Sequence, residues 1–167
     1  MNLLRDMIDS NLVQPKDYEA YFSKFLIEAK QELKKQSIAD KKKSIAKAEE
    51  SKDDSKKTSY LSDTEEADDG NEDLSLYASL LLPFLDMNSA VEPVIQQMLR
   101  SGDKRLKYNT LLLLVEKNKP FPDTLLHYFA GMDEYRYELY SDLKEKKKLN
   151  LFPAKYNTHL QLGHSAL

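Results

Sequence analysis

From residue 73 onward the chain consists of short apolar runs at three- and four-residue spacing; the first four are closed by Gly, Pro, Asn or Asp, and the fifth ends at Lys146–Lys148. The runs begin near Leu74, Val91, Leu106, Leu125 and Tyr135. Such spacing gathers apolar side chains on one side of a helix, whereas a half-buried strand alternates apolar and polar residues. This part of the chain contains neither that alternation nor an Asn-Gly or Asp-Gly hairpin turn. We therefore expect an all-α fold.

The apolar runs recur at an offset of 29 residues. At this offset Pro93 aligns with Pro122, and Gly102 aligns with Gly131. Each unit then holds a helix, a short turn, a second shorter helix and a break. Because neither helix of a unit can bury its apolar side alone, the pattern predicts that neighbouring units stack.

Residues 103–113 (DKRLKYNTLLL) resemble the HEAT and armadillo class of two-helix repeats. The shared features are an Asp in the turn, then apolar, basic and small residues and a leucine at helical spacing. Asp133 and Arg136 begin a similar stretch, in which the apolar spacing slips by one and the small residue is missing. In such repeats the Asp and the basic residue, here Asp103 and Lys107, are thought to bridge neighbouring units. The resemblance covers residues 73–150 and implies that residues 73–167 form a short HEAT-like α-solenoid, alone or within a larger one.

Residues 1–50 predict an N-terminal helical segment. Pro15 suits the first turn of a helix, and an apolar stripe runs from Tyr18 to Leu33. Beyond Leu33 the helix propensity stays high, but little apolar area remains to pack. We expect a helix over about residues 15–35 that frays toward residue 50, preceded by a short apolar group at residues 3–8.

Residues 51–72 have the composition of a charged, flexible linker. Few apolar residues occur there, so burial cannot offset the entropy of ordering the chain. The charges are uneven: residues 34–57 hold nine lysines against five acids, and residues 58–99 hold nine acids with no Lys or Arg. This pattern is typical of solvated chain, and an electrostatic clasp or a partner-docking tail is the alternative.

The composition and motifs favour a chain that is not an enzyme. The net charge is −3, cysteine is absent, and the three histidines lack the spacing of a metal site. The sequence contains no Gly-rich phosphate loop, no nucleophile elbow and no EF-hand, so we expect no cofactor, no metal and no small-molecule substrate. The longest apolar stretch, residues 76–85, is about half of the roughly 20 residues that span a bilayer. Without a signal peptide or a membrane span, we expect a cytoplasmic chain.

Tyrosine is the enriched aromatic residue, and tyrosine and arginine are frequent in binding hot spots. The candidate partner-binding residues lie on the first helices of successive units: Lys107, Tyr108, Arg136, Tyr137 and Tyr140. The alternative is that Tyr135 and Leu139 pack inward while Tyr137 is simply exposed. The apolar run after Leu106 also predicts that Leu113 is buried.

The most direct interpretation is a protein-interaction or scaffolding module, whose partner is a protein or the neighbouring repeats of a longer chain. A nucleic-acid-associated repeat is the alternative, with Lys104, Arg105, Lys107 and Lys144–Lys148 on phosphates, although the charge balance makes nucleic acid the less favoured partner. A catalytic or small-molecule function would require a deep apolar pocket with convergent polar groups.

Overall fold

A computed structural model describes Met7 and residues 12–50 and 69–164. Within these residues the chain is helical and contains no strand, which confirms the all-α prediction. The chain divides into two compact units, Met1–Lys107 and Tyr108–Leu167. This division differs from the boundary at residue 73 that the composition predicts. Most of the predicted linker and of the N-terminal apolar group lies outside the described residues.

Among the described elements of the first unit, a short helix, α1 (Pro15–Tyr18), is followed by one 3-10 turn (Glu19–Tyr21). Pro15 occupies the first turn as predicted, and the backbone N–H of Gln14 donates to the Asp17 carboxylate at 2.8 Å. The long helix α2 (Phe22–Glu50) follows. The predicted helix over residues 15–35 is therefore interrupted by the 3-10 turn, and helix continues to Glu50.

Helix α2 packs against α3 (Asp69–Leu81) and α4 (Glu92–Leu99). Ala29 and Leu33 of α2 are buried, as are the apolar side chains of α3 and α4 that follow the predicted stripes. The Tyr77 hydroxyl donates to the Glu28 carboxylate at 3.1 Å, which joins α3 to α2. Helix α3 begins at Asp69, inside the predicted linker.

An aromatic cluster lies where the start of α2 meets the chain that follows α3. Phe84 belongs to the 3-10 turn Leu82–Phe84 that follows α3. Its ring lies 4.9 Å from that of Phe22 and 5.7 Å from that of Tyr18, between centroids. Tyr18 is buried, and this burial raises the pKa of its hydroxyl. The cluster anchors the start of α2.

Helix α5 (Lys104–Glu116) contains the boundary between the units, and the second unit continues with α6 (Thr124–Ala130) and α7 (Asp133–Glu145). Two 3-10 turns (Leu149–Leu151 and Ala154–Tyr156) lead to α8 (His159–His164). The core of this unit is apolar and includes Leu111, Leu114, Leu126, Phe129, Leu139, Leu143 and Phe152. Leu113, predicted to be buried, is half-buried, because α5 carries leucines at four successive positions and buries Leu111 and Leu114 completely.

The ends of α5 and α7 have the same geometry at the predicted offset of 29 residues. Asn118 (φ 53°) and Lys147 (φ 57°) each follow a helix in the left-handed conformation. In each turn a backbone N–H reaches the carbonyl five residues earlier, from Lys119 to Leu114 at 2.9 Å and from Lys148 to Leu143 at 2.7 Å. Both turns are Schellman caps, which satisfy carbonyls that the helix end leaves unpaired.

These two helix ends also contact each other. Lys146 Nζ donates to Glu116 Oε2 at 2.7 Å, and Lys148 Nζ donates to the side chain of Asn118. Near the other end of α5, the ring of Tyr108 lies 5.1 Å from that of Tyr135 on α7. Equivalent ends of the two helices therefore lie side by side. The stacking of HEAT-like units stays a prediction.

Candidate interaction surfaces

Tyr108, a predicted partner-binding residue, is fully buried in the second unit. Its hydroxyl donates to Asp142 Oδ2 at 2.7 Å, and its ring lies 5.1 Å from those of Phe129 and Tyr135. Burial of a tyrosine with its hydroxyl paired is a packing role. Tyr108 therefore presents no surface that a partner could reach, which corrects the prediction for this residue.

Arg136 is 7% exposed and uses its guanidinium inside the second unit. Nε donates to the Ala130 carbonyl at 2.7 Å, and Nη2 donates to the Gly131 carbonyl at 3.3 Å. Nη1 lies 2.6 Å from Asp133 Oδ1 and 3.3 Å from the Gln161 carbonyl. Arg136 thus satisfies carbonyls at the end of α6 and near α8, where cationic donors suit a helix C-terminus. Because the side chain of Arg136 is buried and its donors are used within the unit, the prediction that it binds a partner is corrected as well.

The other three predicted residues keep some exposed surface. Tyr137 is 48% exposed, as both interpretations of the sequence expect. Tyr140 is half-buried, and its ring stands perpendicular to that of Phe152 at 5.4 Å. Lys107 is half-buried and belongs to the first unit. Of the predicted set, Tyr137 offers the largest aromatic surface.

Sequence reasoning missed a second surface, on the outward side of α2. Ile27 is 55% exposed and Ile38 is 48% exposed. The two residues are eleven positions apart, which is about three helical turns and about 16 Å along the axis. They therefore lie on the same side of α2, opposite the buried Ala29 and Leu33. The two isoleucines can be found in the sequence, but the charged residues between them prevented their recognition as an apolar surface.

Lysines surround these two isoleucines. Lys30 and Lys34 are exposed on the same side of α2, and neither has an ion pair among the described residues. The intervening acids, Glu28 and Glu32, instead contact Lys24 at 3.8 Å and Lys35 at 2.6 Å. We call Ile27, Lys30, Lys34 and Ile38 the outward face of α2. Among the described residues, this face combines exposed apolar side chains with lysines that form no ion pair.

The lysines at the C-terminal end of α7 are less available to a binding partner than those of the outward face of α2. Lys146 contacts Glu116 at 2.7 Å, and Lys117 contacts the same carboxylate at 3.1 Å. Burial alone would raise the pKa of Glu116, but the hydrogen bonds and charges of Lys146 and Lys117 outweigh it and lower the pKa below its usual value. Lys148 donates to Asn118. Of the cations that the nucleic-acid alternative assigns to phosphates, Lys146 and Lys148 therefore already have partners within the second unit.

In the part of the chain that the structure describes, no group of three or more His, Asp or Glu side chains is placed to hold a metal ion. Over the same residues, no helix combines the length and the apolar character that crossing a bilayer requires. Comparison with known proteins found no matching family model, no matching curated protein and no matching solved structure.

Proposed function

We propose that the chain is a non-enzymatic protein-interaction module that binds an acidic protein partner through the outward face of α2. The observation that carries the proposal is the exposure of Ile27 and Ile38 on a helix whose other side is packed. Exposed apolar side chains at helical spacing are the anchors of helix-mediated recognition. The unpaired lysines between them favour an acidic partner and accelerate its association.

The experiment captures partners from a lysate on the immobilised full chain and then measures the affinity of the purified partner. We expect Ile27→Ser with Ile38→Ser to weaken binding about 30- to 1,000-fold, since two buried anchors at about 1–2 kcal/mol each contribute about 2–4 kcal/mol together. Tyr137→Ser is the matched variant, because it removes an exposed apolar side chain from the other unit. Both variants change exposed positions, so circular dichroism should show an unchanged helix content.

The variants separate the competing sites. Unchanged binding in the double isoleucine variant contradicts the proposal. Loss of binding in Tyr137→Ser alone would support the site that was predicted from the sequence. Capture that disappears after nuclease treatment, with a steep dependence on salt, would instead support the nucleic-acid alternative.

A further inference from the structure

The first unit contains a cleft between the second half of α2 and the C-terminal end of α4. Its volume is about 230 Å³. Leu33 lies at its base, and Gly102 contributes only backbone. The polar lining consists of two cations, two amides and two hydroxyls: Lys41, Arg100, Gln36, Gln97, Ser37 and Ser101. Among the described residues of the lining there is no carboxylate.

The two walls of the cleft are joined by a hydrogen bond. Ser101 Oγ donates to Gln36 Oε1 at 3.1 Å, which links the turn after α4 to α2. The turn itself is held by its backbone, since the Ser101 N–H donates to the Met98 carbonyl and Arg100 caps the end of α4. The cleft is therefore part of the packed structure of the first unit.

Positive charge in the cleft is not compensated from within the described residues. Neither Lys41 nor Arg100 forms an ion pair there. Asp103, which follows Gly102, lies outside the lining and accepts the Leu106 N–H at 2.8 Å, as the cap of α5. Two cations with neutral donors beside them are suited to an oxyanion.

We propose that this cleft binds a phosphate monoester, either a phosphorylated side chain of a protein or a free small phosphate. A phosphate monoester carries close to two negative charges at neutral pH, which matches Lys41 and Arg100, whereas a carboxylate carries one. The volume is below the range of about 300–1,000 Å³ for pockets that enclose a whole drug-sized ligand, so the cleft takes the phosphate group and little else. The proposal goes beyond partner binding by α2 and does not depend on it.

The test follows backbone amide signals of the full chain by NMR during titration with inorganic phosphate. We expect saturable shifts at residues 97–102, and at least tenfold weaker binding in both Arg100→Gln and Lys41→Gln, because each loses a charge-assisted contact. Lys24→Gln is the control: it removes the same charge from an exposed position of the same helix, outside both the cleft and the outward face, and should change the affinity less than twofold. Absence of saturable shifts, or equal weakening by all three variants, would overturn the proposal.

A second titration identifies the source of the phosphate. The probes are a phosphoserine peptide and the same peptide without its phosphate. Tighter binding of the phosphopeptide than of inorganic phosphate supports a phosphorylated protein as the ligand, and equal binding supports a free phosphate monoester. Equal affinity for the two peptides would mean that the phosphate is not recognised, which contradicts the proposal. Failure of this test leaves the role of Ile27 and Ile38 unaffected, because the two experiments change different residues and use different probes.

Discussion

Replacing Arg136 by Met should destabilise the second unit by about 2–4 kcal/mol. Met keeps an unbranched apolar stem but loses every donor. The 2.7 Å bond to the buried Ala130 carbonyl is the main loss, since a hydrogen bond to a charged group contributes about 1.5–3 kcal/mol. The 3.3 Å contacts with the Gly131 and Gln161 carbonyls add less. The ion pair with Asp133 adds at most about 1 kcal/mol, because that carboxylate is 80% exposed.

The assay is native-state hydrogen exchange of the amides of Leu139 and Leu143, which reports on α7 separately from the first unit. Asp133→Asn is the control, because it removes the exposed ion-pair charge and leaves the carbonyl contacts intact. We expect this control to lose less than about 1 kcal/mol. The reasoning is refuted if Arg136→Met stays within about 0.5 kcal/mol of the parent chain, a range typical of surface substitutions.

The remaining predictions also concern the second unit. Leu111→Ala should cost about 2–5 kcal/mol in urea unfolding, and Leu113→Ala clearly less, since only Leu111 is fully buried; equal losses would contradict the assignment of the buried side. Tyr108→Phe, measured in the same way, should cost about 1.5–3 kcal/mol, because it removes the hydroxyl hydrogen bond to the Asp142 carboxylate and keeps the ring. The lowered pKa of Glu116 stabilises the folded state above the unfolded-state pKa, and this contribution is lost as the pH falls through the folded-state pKa. Lys146→Gln should therefore lose less stability than the parent chain between pH 6 and pH 3, measured by urea unfolding; an identical pH dependence would contradict the coupling.

The helices of the chain could be predicted from local signals. Gly and Pro breaks and the apolar spacing give the extents of α5, α6 and α7 closely, because the physics of a helix end is local. The 29-residue offset reappears in the two Schellman caps. The C-terminal end of α2 was harder to predict, because the second half of this helix lacks the apolar stripe that would indicate packing.

The candidate site was predicted less well, for a reason that concerns particular side chains. Helix α5 is apolar over much of its circumference, so periodicity alone could not show that Tyr108 faces inward and Leu113 only partly. Arg136 could be assigned to the interior only once the carbonyls of Ala130 and Gln161 were placed beside it. Hot-spot composition describes which residue types bind partners, but tertiary contacts decide which of them are exposed.

The two Schellman caps have an unequal energetic consequence. The left-handed conformation costs most residues roughly 1–2 kcal/mol, and Asn tolerates it better than Lys. The same turn is therefore held more firmly at Asn118 than at Lys147. Fraying of the second unit should start at the end of α7, and opening of this turn would release both side-chain contacts with the end of α5. One residue in the less suitable conformation thus decides which of two equivalent helix ends opens first.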